Sequence, residues 1–285
     1  MMKPWLLLIF LSSILPGAAE DTRRLPDLDR QKHQLRVVTY NILGGRNTDG
    51  ARDLTRVADV LKALNPDLVA MQEVDVNTRR IRGKDVPKEL GALTGLQPFF
   101  AEAMPFDGGS YGEAILSRLP VESQKGHALP ARPKSEPRAA LEIVCRLGDS
   151  ADAPKLRFIA THLDHQRAPD DRVLQIHKLL ELFPEPSSPP LALLAGDFNA
   201  ELPDAALALL QPKWTPVWPE GKAALTFPSD QPKIAIDHVF FGTGAKWKVL
   251  RVLAGTDIFP GDTAWKDQLA KASDHVPVVA ELEML

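Results

Sequence analysis

Leu191-Ala192-Leu193-Leu194-Ala195-Gly196-Asp197-Phe198-Asn199 sets an apolar run against a polar end, and four other runs finish in the same way. They are Thr39-Tyr40-Asn41, Gln72-Glu73, Thr161-His162 and Ser273-Asp274-His275. A carboxylate or imidazole buried without a partner is costly, so a strand has no packing use for one at its end. Five such ends in one chain imply strands that deliver polar groups to a shared cleft, the layout of a metal-assisted hydrolase.

Outward from these ends, the chain reads as strands with helices interspersed. Strands are expected at Leu35 to Tyr40, at Asp67 to Met71, and near 97–103, 111–117, 139–147, 155–163, 191–196, 234–241, 246–253 and 275–282. Leu54, Val57, Ala58, Leu61 and Leu64 follow helical spacing behind Asp53, a candidate N-cap, and Asn65-Pro66 ends the run. A second helix is expected over 170–182 with Val173, Leu174, Ile176, His177 and Leu180 inward, and a short third over 204–210. The helices come too irregularly for a doubly wound or barrel fold. The expectation is an α/β fold with two packed mixed sheets and helices on the outside. The sequence holds no internal repeat and no glycine-rich phosphate loop.

With 285 residues, 44% hydrophobic and 25% charged, the composition suits one large domain, placed at 35–285. Lys3, the apolar stretch Trp5 to Leu15 and Pro16-Gly17-Ala18-Ala19 read as a signal peptide over 1–19, cut near Ala19; the bland alternative is an N-terminal anchor. Residues 20–34 read as a polar tether. Export makes a secreted or periplasmic protein the expectation. The single cysteine, Cys145, has no partner within the chain and lies on the apolar face of its strand with Leu141 and Ile143, so it reads as a core residue.

The formal charge is −3, with no basic stripe of the kind that holds duplex DNA through its phosphates. Arg79, Arg80, Arg82 and Lys84 form a local cluster, read as a solvated loop with a substrate phosphate contact as the alternative. Trp214, Trp218, Trp247 and Trp265 read as packing residues, with a rim for a lipid substrate as the alternative. His127, His165, His177 and His238 read as structural or solvated.

Phosphoester hydrolysis needs charge neutralisation at the phosphoryl oxygens, an oriented water and help for the leaving oxygen. A hard cation such as Mg²⁺ supplies the first with few protein ligands, carboxylates and amide oxygens among them. Glu73, Asn41 and Asp274 have that chemistry. Asp197 and Asn199 share one face if the chain stays extended, so one takes a proton from water while the other steers it. His162 and His275 act as acid or phosphate clamp only with a fixed tautomer. Asp237, a carboxylate in an apolar strand, needs a partner, and His275 is the expected one; Glu113 is the expected partner of His162.

Read in order, Tyr40-Asn41, Gln72-Glu73, Tyr111-Gly112-Glu113-Ala114-Ile115-Leu116-Ser117, Pro137-Arg138, Thr161-His162-Leu163-Asp164, Gly196-Asp197-Phe198-Asn199, Thr226-Phe227-Pro228, Ile236-Asp237-His238 and Ser273-Asp274-His275-Val276-Pro277-Val278 resemble the endonuclease/exonuclease/phosphatase superfamily, relatives of DNase I-like nucleases and sphingomyelinases. The resemblance runs from about residue 35 to 282. It implies a four-layered α/β sandwich, dependence on Mg²⁺ or Mn²⁺, and phosphoester hydrolysis. By position it makes Glu73 the main metal ligand with Asn41 and Asp274 nearby, and Asp197 and Asn199 the water-positioning pair. His275 with Asp237 engages the scissile phosphate, His162 and Arg138 contact its oxygens, Tyr111 joins the substrate-binding set, and the base is either Asp197 or His275. Leu43 stands where members that cut abasic DNA carry an acid, and those members lack the Thr161-His162 pair, which favours the branch of secreted nucleases, sphingomyelin-type phosphodiesterases and lipid-head-group phosphatases. The expected protein is therefore an exported, monomeric, divalent-metal-dependent phosphodiesterase acting on a lipid head group, nucleic acid or small diester. A secreted endonuclease is the nearer alternative, and a catalytically silent binding module on the same fold is the one from another class.

Overall fold

A computed structural model of the chain describes residues 23–29, 32–185, 189, 191–218 and 223–285; the signal peptide expected over 1–19 lies outside them. Twelve strands among the described residues form two six-stranded mixed sheets. The first sheet contains β1 (Gln34–Asn41), β2 (Leu68–Val76), β3 (Gln97–Phe106), β4 (Gly109–Ser117), β11 (Trp247–Ala254) and β12 (Val278–Met284), in the order β11-β12-β1-β2-β4-β3. The second contains β5 (Val121–Leu129), β6 (Arg138–Arg146), β7 (Lys155–His162), β8 (Leu191–Asp197), β9 (Trp214–Pro216) and β10 (Asp237–Gly242), in the order β5-β6-β7-β8-β10-β9.

Three apolar layers hold the sheets and helices together. Val37, Leu68, Ile115 and Ala280 of the first sheet meet Leu141, Phe158, Leu193 and Val239 of the second in one core between the sheets. Cys145 belongs to that core with Leu141 and Ile143, and burial pushes its thiol up to about 12. The opposite face of the first sheet packs under α1 (Leu54–Leu64), α2 (Val86–Thr94) and α5 (Thr263–Ala272), through Leu61, Leu90 and Trp265. The second sheet packs under α3 (Asp170–Leu182) and α4 (Ala205–Ala208), through Ile176, Leu179 and Leu207. The order is helix, sheet, sheet, helix.

Four of the five α-helices among the described residues start on an aspartate cap; α3, behind Pro169, has no side-chain cap. Asp53 accepts from Thr55 N, Asp85 from Lys88 N, Asp204 from Ala206 N and Asp262 from Trp265 N, which satisfies donors a helix leaves open. Sequence periodicity missed α2 and α5, whose apolar stripes are thin: Val86 and Leu90 in one, Trp265, Leu269 and Ala272 in the other. It also missed β5, a mostly exposed edge strand without alternation. In α3 the expected inward face holds for Ile176, with Val173 and Leu180 packed against the core, but not for Leu174 and His177, which are exposed. Asp171, Arg172, Gln175, Ile176 and Leu179 are buried while Leu174 is 44% exposed. Asp171 turns inward because Arg132 and Ser135 bond its carboxylate, and Gln175 because it binds the Asp164 N–H and the Pro130 carbonyl.

Part of the expected tether lies on the domain. Leu25 is buried in the core under the first sheet, its N–H donates to Ala63 O (2.8 Å), and Arg36 Nη2 reaches Pro26 O (2.8 Å). All four tryptophans expected to pack are buried. No helix among the described residues is long and apolar enough to cross a membrane.

Candidate active site

Strand polarity gathers the polar ends. β1 and β2 run parallel, as do β7 and β8, so Asn41, Gln72, His162 and Asp197 come to one end of the sandwich. The antiparallel β10 starts there, and its first residue, Asp237, pairs with Asp197. His162 pairs with Asp197 from the other side. Asp274 and His275 enter from the segment between α5 and β12, where Ser273 Oγ donates to Asn41 O (2.7 Å) and Ser229 N to Asp274 O (2.7 Å).

Two side chains reach the site through unusual backbone. Glu73 lies where the register of β2 against β4 shifts between Met71 and Val74, and it takes a φ of 55°. This bulge turns its carboxylate out of the strand's alternation. Asn199 has a φ of 50°. The extended geometry expected for Asp197 to Asn199 is thus not observed; a turn forms because Asn199 N donates to Asp197 Oδ1 (2.9 Å). Left-handed backbone at two non-glycine residues costs energy and tends to persist at functional sites.

The resulting cavity, about 430 Å³, is lined by Glu73, Arg80, Tyr111, Arg138, His162, Asp197, Asn199, Asp274 and His275, with Met104, Phe106, Phe227, Ile234 and Ile236 as apolar wall. Asn41 Nδ2 donates to Glu73 Oε1 and to Asp197 Oδ2, both at 3.1 Å, and so joins the two sheets. Its amide oxygen accepts from Leu43 N (3.1 Å), so the atom expected to face a cation is engaged with the chain. A larger cavity of about 600 Å³, between β9 and β11, contains Trp218 and Val252 but none of these groups.

His275 Nδ1 lies 2.9 Å from Asp237 Oδ2, the expected pair, and its Nε2 lies 3.6 Å from Asp197 Oδ2. Burial works against the imidazolium, but the charges of Asp237 and Asp197 outweigh it and hold its pKa at about 10. Burial, with Asp237 adding repulsion, raises the pKa of Asp197. Burial also raises Glu73; Asn41 opposes this and the nearby Asp274 reinforces it.

The expected pairing of Glu113 with His162 does not form. Glu113 is fully buried and neither of its carboxylate oxygens has a hydrogen-bond partner. His162 instead places Nδ1 3.2 Å from Arg138 Nη1. Arginine only donates, so when this contact is made Nδ1 accepts and the ring proton sits on Nε2, 3.5 Å from Asp197 Oδ2. Burial and Arg138 together push the His162 pKa well below its ordinary value, so the ring is a neutral donor rather than a cationic clamp. Asn199 Nδ2 lies 2.9 Å from the same Nε2 and 3.0 Å from Leu163 O. Two N–H groups cannot bond, so the Asn199 contact belongs to the other tautomer.

Sequence reasoning missed His165, whose Nδ1 lies 3.2 Å from Arg138 Nη2, and Glu136, which pairs with Arg138 Nη1 at 2.8 Å. Neither stands at the end of an apolar run. Arg80, read as part of a solvated loop, lines the cavity. Asp164 accepts from Gln166 N at 2.9 Å.

The chain matches the profile of the "Endonuclease/Exonuclease/phosphatase family" over residues 38–275. It belongs to that family. No curated protein matches it in sequence. Among solved structures, an endonuclease/exonuclease/phosphatase from Beutenbergia cavernae is similar, with 21% identity over 88% of this chain and 72% of that one, TM-score 0.66. The human nocturnin catalytic domain with bound sulfate is 17% identical over 89% and 95%, TM-score 0.66. A mannosyl-6-phosphatase from Bacteroides thetaiotaomicron is 18% identical over 87% and 99%, TM-score 0.65. At such identities the likeness shows the fold, the two-sheet sandwich of this family.

The donor set suits a hard cation. Glu73 and Asp274 repel each other, and oxygen ligands are what Mg²⁺ or Mn²⁺ take. Asp197, Asp237 and His275 also hold three donor atoms within 4.8 Å of one another. There the 2.9 Å contact between His275 and Asp237 is a hydrogen bond, so this trio reads as a bonded dyad beside a carboxylate.

Proposed function

We propose that this endonuclease/exonuclease/phosphatase family member is an exported, divalent-cation-dependent phosphodiesterase. The observation that carries the reading is the meeting of Glu73, Asp274, Asp197, His162, Arg138 and His275, the last backed by Asp237, around one cavity of about 430 Å³. In this reading Glu73 and Asp274 hold the cation, with Asn41 positioning Glu73. When bound, Mg²⁺ or Mn²⁺ supplies charge neutralisation at the phosphoryl oxygens.

The residues of the chain do the rest. Asp197, a carboxylate made more basic by burial, takes the proton from the attacking water, and Asn199 orients that water. His275, kept protonated by Asp237, faces the phosphoryl group as a positive donor, which leaves Asp197 rather than His275 as the base. His162 Nε2–H and the Arg138 guanidinium stabilise charge that grows on the equatorial oxygens. The apolar walls and the lack of a basic stripe favour a small diester or lipid head group over duplex nucleic acid.

Purified protein with Mg²⁺, Mn²⁺ or Ca²⁺ is assayed against DNA, RNA, sphingomyelin, inositol phosphates and a chromogenic diester. Asp197→Ala and His275→Ala are expected to lose activity by a factor of about 10² or more while keeping the wild-type fold. Full activity in either variant, or no cation-dependent turnover by the wild type, refutes the reading. Export is tested by the mature N-terminus, expected near Glu20.

A further inference from the structure

Arg80 is held in a way that a solvated loop residue is not. Its Nε and Nη2 both lie 2.6 Å from the carboxylate of Asp75, which is fully buried and also accepts from Thr78 Oγ1 (2.6 Å). The guanidinium lies over the Phe106 ring, 4.4 Å from its centroid, and 5.6 Å from that of Tyr111. Gly44 borders it as well. A Cβ there would come within 2.8 Å of Arg80 Nη2, and the φ of +68° at Gly44 already disfavours a side chain.

A planar cation is thus bonded along one edge and bordered by a ring and a glycine. Its remaining edge, Nη1, has no protein hydrogen-bond partner among the described residues, and the side chain lines the same cavity as Glu73 and Asp197. The catalytic scheme assigns it nothing. An arginine fork fixed before binding loses little entropy when it binds an anionic oxygen, which suits recognition more than it suits stability. Met104 and Phe106 beside it offer apolar surface for a short carbon spacer.

We propose that Arg80 selects the substrate: Nη1 binds an anionic group, a phosphate above all, carried on the part of the diester that is not being cleaved. This inference rests on the phosphodiesterase reading for its chemistry. The substrate class is a phosphodiester with a second anionic group, soluble or on a lipid.

The test uses p-nitrophenyl alkyl phosphate diesters whose alkyl arm, two to six carbons long, ends in a phosphate or in a hydroxyl. For at least one length the wild type is expected to prefer the phosphate-ended compound in kcat/KM by about tenfold or more, the size of one charged hydrogen bond. In Arg80→Gln that preference collapses towards unity, mainly through KM. Arg80→Lys, which keeps charge but not the fork, retains part of it and carries the test if the glutamine variant does not fold. Vesicles of phosphatidylcholine with phosphatidylinositol 4-phosphate, compared with phosphatidylinositol, distinguish a lipid source from a soluble one. Equal losses on both kinds of diester would assign Arg80 a structural role, and a wild type without preference at any length or on either lipid overturns the proposal. If no diester turns over at all, the phosphodiesterase reading fails separately. Calorimetric binding of the same compounds then decides Arg80, with equal affinity for both ends of the series counting against it.

Discussion

Glu113→Gln should make the protein more stable at neutral pH, by an amount that grows with pH. Glu113 shares a face of β4 with Ile115, in the layer between the sheets, and is fully buried without a hydrogen bond to either oxygen. Burial lifts its pKa well above the ordinary 4.5; Arg138 opposes the shift, while Glu73 and Asp197 add to it. Above pH 4.5 the unfolded chain releases a proton that the folded protein keeps, so native stability falls as pH rises. For one group the slope is about 1.4 kcal/mol per pH unit over the range in which the folded state holds the proton. In a domain of this size each kcal/mol moves Tm by roughly 2–4 °C. Glutamine keeps the shape and does not titrate. In thermal unfolding from pH 4 upward, the Tm difference between variant and wild type is therefore expected to widen by roughly 3–6 °C per pH unit. Below pH 4.5 it stops changing. Parallel Tm curves over the whole range would show that Glu113 carries no such proton, and would refute the reasoning.

The pH profile of the reaction should be displaced upward. Activity falls as pH drops through the raised pKa of Asp197, above the ordinary carboxylate range, and as pH rises through that of His275, held at about 10; kcat/KM against pH checks both limbs. Asp237→Asn removes the charge that supports the His275 cation, so its imidazole pKa, followed by NMR, should fall below about 10. Chelation with EDTA should abolish turnover, and added Mg²⁺ should raise Tm by mass action, by about 2.7 kcal/mol of stability at a hundred times its Kd; Glu73→Gln should blunt that rise.

Most of the site was legible because strand ends advertise it. A carboxylate at 197 or an imidazole at 162 after a run of buried aliphatics has few other uses, and the order of the motifs added the family. What stayed illegible depends on backbone detail and on neighbours distant in sequence. The bulge that aims Glu73 is invisible in a string of residues, as is the turn at Asn199. Glu113 looked like a partner for His162, yet Arg138, at the start of the neighbouring strand β6, takes that place. His165 was passed over because it belongs to no second motif, and Arg80 because a basic run is usually solvated; a buried Asp75 and the ring of Phe106 fix it in the cleft. Helices with thin apolar stripes, α2 and α5, show the same limit at the level of the fold.

Asn41 holds one carboxylate from each sheet, Glu73 and Asp197. The groups that line the cleft accordingly have no meaning within either half of the molecule. Any state in which the halves slide or part by a few ångströms would still carry every residue, and most of its secondary structure, yet would have no cleft. Turnover thus gauges whether the sandwich is shut, and under mild denaturant it should vanish before far-UV circular dichroism registers a change.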